Sequence, residues 1–103
     1  MIVVGMEIVH GYFLSRRGRK GVAVVARQFD AWFAIASHAR WRDPPAVKMS
    51  HPKASILKAG RVVFNIKGND FRLVTAINFL GGVVVIRFFG THAEYDVIDA
   101  ETV

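Results

Sequence analysis

Two hydrophobic rhythms divide this chain, a helical one in its first half and an extended one in its second. Val22, Val25, Phe29, Trp32, Phe33 and Ala36 recur at spacings of three and four, which gathers them on one face of a helix. Arg27, Asp30, Ser37 and Arg40 mostly avoid that face. The spacing predicts a helix over Val22–Trp41. Asp43-Pro44-Pro45 is expected to stop it, because proline lacks the amide hydrogen and restricts the residue before it. The aromatic stripe reads as core packing rather than as a ligand box. Ahead of this helix, Met6-Glu7-Ile8-Val9 reads as a short strand, with Met1–Gly5 as an extension before it. His10–Ser15 opens a first helix. Arg16-Arg17-Gly18-Arg19-Lys20-Gly21 is a basic break punctuated by glycine; it either contacts phosphates or is a solvated turn. Residues 46–60 hold at most a short helical turn, then a loop ending at Gly60.

The second half alternates with period two. Arg61–Lys67, Asp70–Phe79 and Val83–Phe89 are predicted strands, joined by turns at Gly68-Asn69 and Leu80-Gly81-Gly82. Turn length fixes which residues share a face. With a two-residue turn at Gly68-Asn69, Lys67 pairs with Asp70, Asn65 with Arg72, Phe64 with Leu73 and Ile66 with Phe71. Phe64, Ile66, Phe71, Leu73 and Ile77 then form the core face, and Arg61, Asn65, Lys67 and Arg72 the other. An even second turn adds Val84, Ile86 and Phe88 to the core and Arg87 to the polar face; a bulge would reverse that. Val63, Val74, Ala76, Val85 and Phe89 also fall on the polar face, which suggests that it is partly covered, by a partner protein for instance.

Charge sharpens the picture. Residues 1–68 hold 12 Lys/Arg against 3 Asp/Glu, and residues 69–103 hold 2 against 5. A basic body favours a polyanion, since each neutralised phosphate releases counterions; charge kept for solubility is the bland alternative. The absence of cysteine excludes disulfides, thiolate metal sites and thiol nucleophiles, and allows a cytoplasmic setting. His10, His38 and His51 show no metal-ligand spacing, so neither a metal nor another cofactor is expected. The longest uncharged stretch, Leu73–Ile86, is 14 residues and contains Asn78 and two glycines, too short to span a bilayer. No basic region precedes an apolar N-terminal run, so no secretory signal is expected. At 103 residues one domain, 1–103, is the natural reading.

A face carrying Arg61, Asn65, Lys67, Arg72 and Arg87 suits ribonucleotide phosphate. RNA supplies its own nucleophile, the 2′-hydroxyl, so the protein must hold the backbone, move protons and stabilise a charged phosphorane. Arginine suits the last task. Proton transfer needs a His, Glu or Tyr in reach, and His92, Glu94, Tyr95 and Asp96 follow the last strand as the one compact cluster of such groups. The competing reading makes Glu94 a helix cap behind Thr91 or His92. A solvated polar face of an ordinary α+β domain competes with the whole proposal.

Longer motifs then carry a resemblance. Arg61-Val62-Val63-Phe64-Asn65-Ile66-Lys67-Gly68-Asn69, Phe71-Arg72-Leu73-Val74 and Ala76-Ile77-Asn78 resemble the central hairpin of HigB-type toxins. Ile86-Arg87-Phe88 and Gly90-Thr91-His92-Ala93-Glu94-Tyr95-Asp96 resemble their final strand and C-terminal signature. Trp41 with Pro44 or Pro45, Val47-Lys48 and Ala54-Ser55-Ile56-Leu57 resemble the linking region. The resemblance covers residues 41–103; residues 1–30 match loosely, and Phe79 stands where a tyrosine is common. It implies an α+β, RelE-like fold of order β-α-α-β-β-β. It further implies a metal-independent endoribonuclease (an mRNA interferase) acting on the ribosome, the toxin of a type II toxin–antitoxin system. The implied partner is a HigA-type helix-turn-helix antitoxin, with DNA bound only through the toxin–antitoxin complex and no membrane. The residues carried over as functional are Asn65, Asn69, Arg72, Arg87, His92, Glu94, Tyr95 and Asp96. Beside them, Arg61 and Lys67, with the basic segment 16–20, are expected to hold flanking RNA or ribosomal RNA. A non-catalytic RNA-binding module and a protein-interaction domain docking through Val63, Val85 and Phe89 are the rival readings.

Overall fold

A computed structural model describes residues 1–103. In chain order the elements are β1 (Ile2–Val4), α1 (Met6–Ser15), α2 (Val22–His38), α3 (Pro44–Ser50), β2 (Ser55–Ile56), β3 (Arg61–Ile66), β4 (Phe71–Asn78), β5 (Val83–Thr91) and α4 (His92–Tyr95). The strands form one sheet in the order β1-β5-β4-β3-β2. All neighbours are antiparallel except β1 and β5. The α+β class stands, with a mixed sheet of five strands and two more short helices than expected. No helix is long and apolar enough to cross a membrane.

The N-terminus departs most from expectation. Met6–Val9 is the first turn of α1, not a strand. Its apolar positions serve a helical face: Val9 is fully buried, and Met6, Tyr12 and Phe13 pack beside it against the core. The extended pairing falls instead to Ile2–Val4, which lie parallel to Val83–Val85. Gly5 makes the strand-to-helix reversal possible. Its φ is +89°, and a Cβ there would sit 2.7 Å from the Ile86 carbonyl oxygen, so a side chain is excluded on two grounds.

The stripe read from the sequence is the buried face of α2, through Val25, Phe29, Trp32 and Ala36. The helix ends at His38, three residues short of the predicted limit, and Ala39 is already extended. Trp41 then turns back into the core, its indole Nε1 donating to Ser50 Oγ at 3.1 Å. Asp43-Pro44-Pro45 starts a helix rather than stopping one. The Asp43 carboxylate accepts from the Ala46 amide at 3.0 Å, and the prolines occupy first-turn positions where no amide hydrogen is needed.

The hairpin register is the one derived from Gly68-Asn69: Phe64 pairs with Leu73, Asn65 with Arg72 and Ile66 with Phe71. The turn from β4 to β5 leaves Phe79–Gly82 unpaired, an even count, and Ile77 pairs with Val84. A bulge follows, but at Arg87 rather than at a glycine. Thr75 pairs with Ile86 while Val74 pairs with Phe88, which leaves Arg87 as the extra residue. Val84 and Ile86 accordingly join the helix-covered core as expected, whereas Phe88 and Phe89 exchange faces. Phe89 is in the main core, and Phe88 packs on the opposite side with Val63 and Val74. The expected partner-facing role of Phe89 is thereby overturned.

Candidate functional site

The sheet face away from α1 and α2 carries Arg61 and Asn65 from β3, Arg72 from β4 and Arg87 from β5. Asn65 and Arg72 sit directly opposite each other, and Arg72 in turn faces Gly90. Arg87 emerges at the bulge, beside the Val74–Phe88 pair, two to three positions along from Arg72. At about 3.3 Å per residue the two arginine positions are separated by about 7–10 Å along the strand direction.

Arg72 is held firmly. It is 9 % exposed. Its Nη1 donates to the Asn69 and Phe71 carbonyl oxygens at 3.0 and 3.2 Å, and its Nη2 to Asn69 Oδ1 at 2.6 Å. Asn69 thus serves the site as a clamp on arginine. Lys67 leaves the face assigned to it from the sequence. Its φ of +54° breaks the strand alternation, and it ion-pairs with Asp70 at 3.4 Å. It lines a cleft of about 250 Å³ on the helix side with Arg16, Arg19 and Lys20. Asn65 borders a separate hollow against the loop of His51 and Pro52.

The cluster after β5 divides in two. Thr91 caps α4 in a reciprocal box: its hydroxyl accepts from the Glu94 amide at 3.1 Å, and Glu94 Oε1 accepts from the Thr91 amide at 2.8 Å. The same carboxylate accepts from Tyr12 Oη at 2.8 Å and from Arg16 Nη2 at 3.1 Å. Arg16 lies over the Tyr12 ring, 3.6 Å from its centroid. Glu94 therefore anchors α4 to α1, and the capping alternative describes it. The Thr91 amide bond, with smaller help from Tyr12, Thr91 and Arg16, holds its carboxyl below the usual carboxylate range against the opposing effect of burial. The sequence points to Arg16 only as part of the basic break 16–21 and does not point to Tyr12, which lies three residues from Val9 on a helical face but whose partner is 82 positions away.

His92, Asp96 and Tyr95 form the other part. His92 Nδ1 lies 3.0 Å from Asp96 Oδ2 on the solvent side of α4. A carboxylate can only accept, so Nδ1 carries the proton and Nε2 is the free nitrogen. Tyr95 packs on the Val63–Val74 cluster, which brings its ring to the arginine-bearing face. The main chain fixes the start of α4 through a 2.9 Å bond from the His92 amide to the Asp70 carbonyl oxygen.

Tyr12 gives a pH test of the anchor. Burial, together with the Glu94 carboxylate, pushes its phenol up to about 12. A raised folded value favours the protonated ring, so this contribution to stability is complete below about pH 10 and is lost as pH rises towards 12. Urea denaturation of the wild type should show that loss over this window, and Tyr12→Phe should remove the portion due to this residue. Equal pH slopes for the two proteins would refute the assignment.

A search of curated proteins gave no significant match. The sequence model of the HigB toxin, described as the RelE-like toxic component of a toxin–antitoxin system, matches residues 25–98. The match begins inside α2 and takes in the sheet from β2 to β5 and all of α4. It leaves out β1 and α1, where the sequence resemblance was loose. The chain belongs to the HigB toxin family, the RelE-like toxic component of a toxin–antitoxin system.

Proposed function

We propose that this toxin is a metal-independent endoribonuclease that cuts mRNA during translation in the cytoplasm, with residues 1–103 working as one domain. The observation that carries the reading is the join of two features. Arg72 and Arg87 share the outer face of the sheet, and the paired His92 and Asp96 stand at the end of that face on a helix fixed by its own cap. Arg72 and Arg87 hold the non-bridging oxygens of the scissile phosphate. His92 Nε2 takes the proton of the 2′-hydroxyl as O2′ bonds to phosphorus, and Asp96 steadies the imidazolium that forms. The bond from phosphorus to O5′ breaks, and Tyr95 gives its phenolic proton to the departing oxygen. The products are a 2′,3′-cyclic phosphate and a 5′-hydroxyl. Arg61, with Asn65, Asn69 and Lys67, holds flanking RNA or the ribosome.

The family implies an antitoxin; we assign a HigA-type helix-turn-helix protein, with operator DNA bound only through the complex. Two of the three residues of the rival docking surface are withdrawn, since Phe89 is in the core and Val63 is 2 % exposed, while Val85 stays partly exposed. Expression of Arg87→Ala and His92→Ala beside the wild type tests the assignment. Both should permit growth and leave transcripts intact, with His92→Ala slower by about 10²–10⁴-fold in vitro. Growth arrest by both variants as strong as that of the parent would sink it. RNA binding that weakens steeply with salt, without cleavage even on ribosomes, would leave a binding module.

A further inference from the structure

The arginine-bearing face is not open. Beyond Tyr95 the chain folds back over it. Ala100 is buried with Val63 and Val74, and Leu57, Phe88, Tyr95, Ile98 and Val103 surround this second, smaller core. The covering segment is built, not draped. The Thr102 and Val103 amides both donate to the Asp99 carbonyl oxygen, at 3.1 and 2.9 Å, and the Glu101 amide donates to Asp99 Oδ1 at 2.9 Å.

Its polar contacts fall on the groups the site needs. Arg61 Nη1 donates to the Val103 oxygen at 2.6 Å and to the Ala100 oxygen at 3.3 Å. Arg87 Nε donates to the same Val103 oxygen at 3.1 Å. Two cations from β3 and β5 therefore converge on one oxygen, as two arginines do on a phosphate oxygen. The segment is also acidic, with Asp99 and Glu101 within it, and Glu101 reaches Lys58 at 4.0 Å.

We propose that residues 97–103 are an autoinhibitory strap, with the Val103 oxygen in the place of an RNA phosphate oxygen between Arg61 and Arg87. The proposal rests on the ribonuclease reading for the identity of the ligand. A tethered competitor acts at high effective concentration, so RNA engages both arginines only when the strap lifts. The hinge follows from the anchoring: Glu94 ties α4 to α1 upstream, while the strap holds through the small cluster, the two arginines and the exposed Lys58–Glu101 pair. Lifting it leaves His92 in place on α4 and Asp96 at that helix's C-cap.

The chain has no cysteine, so a single disulfide can lock the strap. Val63→Cys with Ala100→Cys places thiols in one buried cluster, and mass spectrometry reports whether the bond has formed. The readout is affinity for a fluorescent oligoribonucleotide, with cleavage followed separately. The oxidised protein should bind at least about tenfold more weakly than the reduced one, the effect of losing one charge-assisted phosphate contact. Ile98→Ala, which loosens the strap without touching the arginines, should bind several-fold more tightly than the wild type. Equal affinity of the oxidised and reduced forms would overturn the strap, as would a reduced form that binds no RNA. A lock that weakens binding in a protein that never cleaves would uphold the strap and reject the ribonuclease reading.

Discussion

Arg87→Ala is expected to lower mRNA cleavage by about 10²–10³-fold, the usual effect of removing one preorganised donor to a developing charge. It should leave the unfolding free energy within about 0.5 kcal/mol of the wild type. The separation of the two effects is what the structure dictates. Arg87 is the extra residue of a bulge and is exposed, with one bond to the Val103 oxygen and no ladder partner to lose. Arg87→Lys should recover part of the activity, because charge is restored but the planar fork is not. Single-turnover cleavage on translating ribosomes and urea denaturation measure the two quantities. A variant that cleaves normally, or that fails only because it unfolds, contradicts the role given to Arg87.

Arg72→Ala should lose activity on the same scale and stability as well, by about 2–3 kcal/mol. Arg72 is 9 % exposed, and its guanidinium holds the Asn69 carbonyl and side-chain oxygens across the β3–β4 turn. That turn contains two consecutive residues at positive φ, Lys67 and Gly68, and so depends on outside support more than a regular turn does. Arg72→Lys keeps a charge but cannot reproduce three bonds to two different residues, so it should remain destabilised by about half as much. Asn69→Ala should reproduce part of the activity loss through a less fixed Arg72. Wild-type stability in Arg72→Ala would show that the clamp holds nothing.

The parts of this site readable from sequence were those governed by local rules. Gly68-Asn69 set the pairing of Asn65 with Arg72, because a hairpin's register follows from its turn. The face of α2 followed from a spacing that burial of Phe29 and Trp32 alone explains. The Thr91-Glu94 box lay within four residues and was visible as an alternative. The missed features depend on distant partners. Ile2–Val4 is a strand only because β5 lies beside it, while Val9 looks extended until the packing of Tyr12 and Phe13 on Phe29 and Phe89 defines the buried face of α1. No glycine marks the bulge at Arg87, and its consequence, the exchange of Phe88 and Phe89, cannot be seen in an alternating pattern. The apolar positions on the polar face correctly called for a cover. That the cover is the chain's own last residues emerged only from the fold, since the contact joins Val103 to Arg61, 42 positions away.

The chemistry of the cut ends tests the central claim most directly. Wild-type protein should be incubated with a defined mRNA on ribosomes and the fragments analysed by mass spectrometry. Attack by the 2′-hydroxyl between Arg72 and Arg87 predicts an upstream fragment ending in a 2′,3′-cyclic phosphate and a downstream fragment beginning with a 5′-hydroxyl. Fragments ending in a 3′-hydroxyl and beginning with a 5′-phosphate would mean that water was the nucleophile, and would contradict the account.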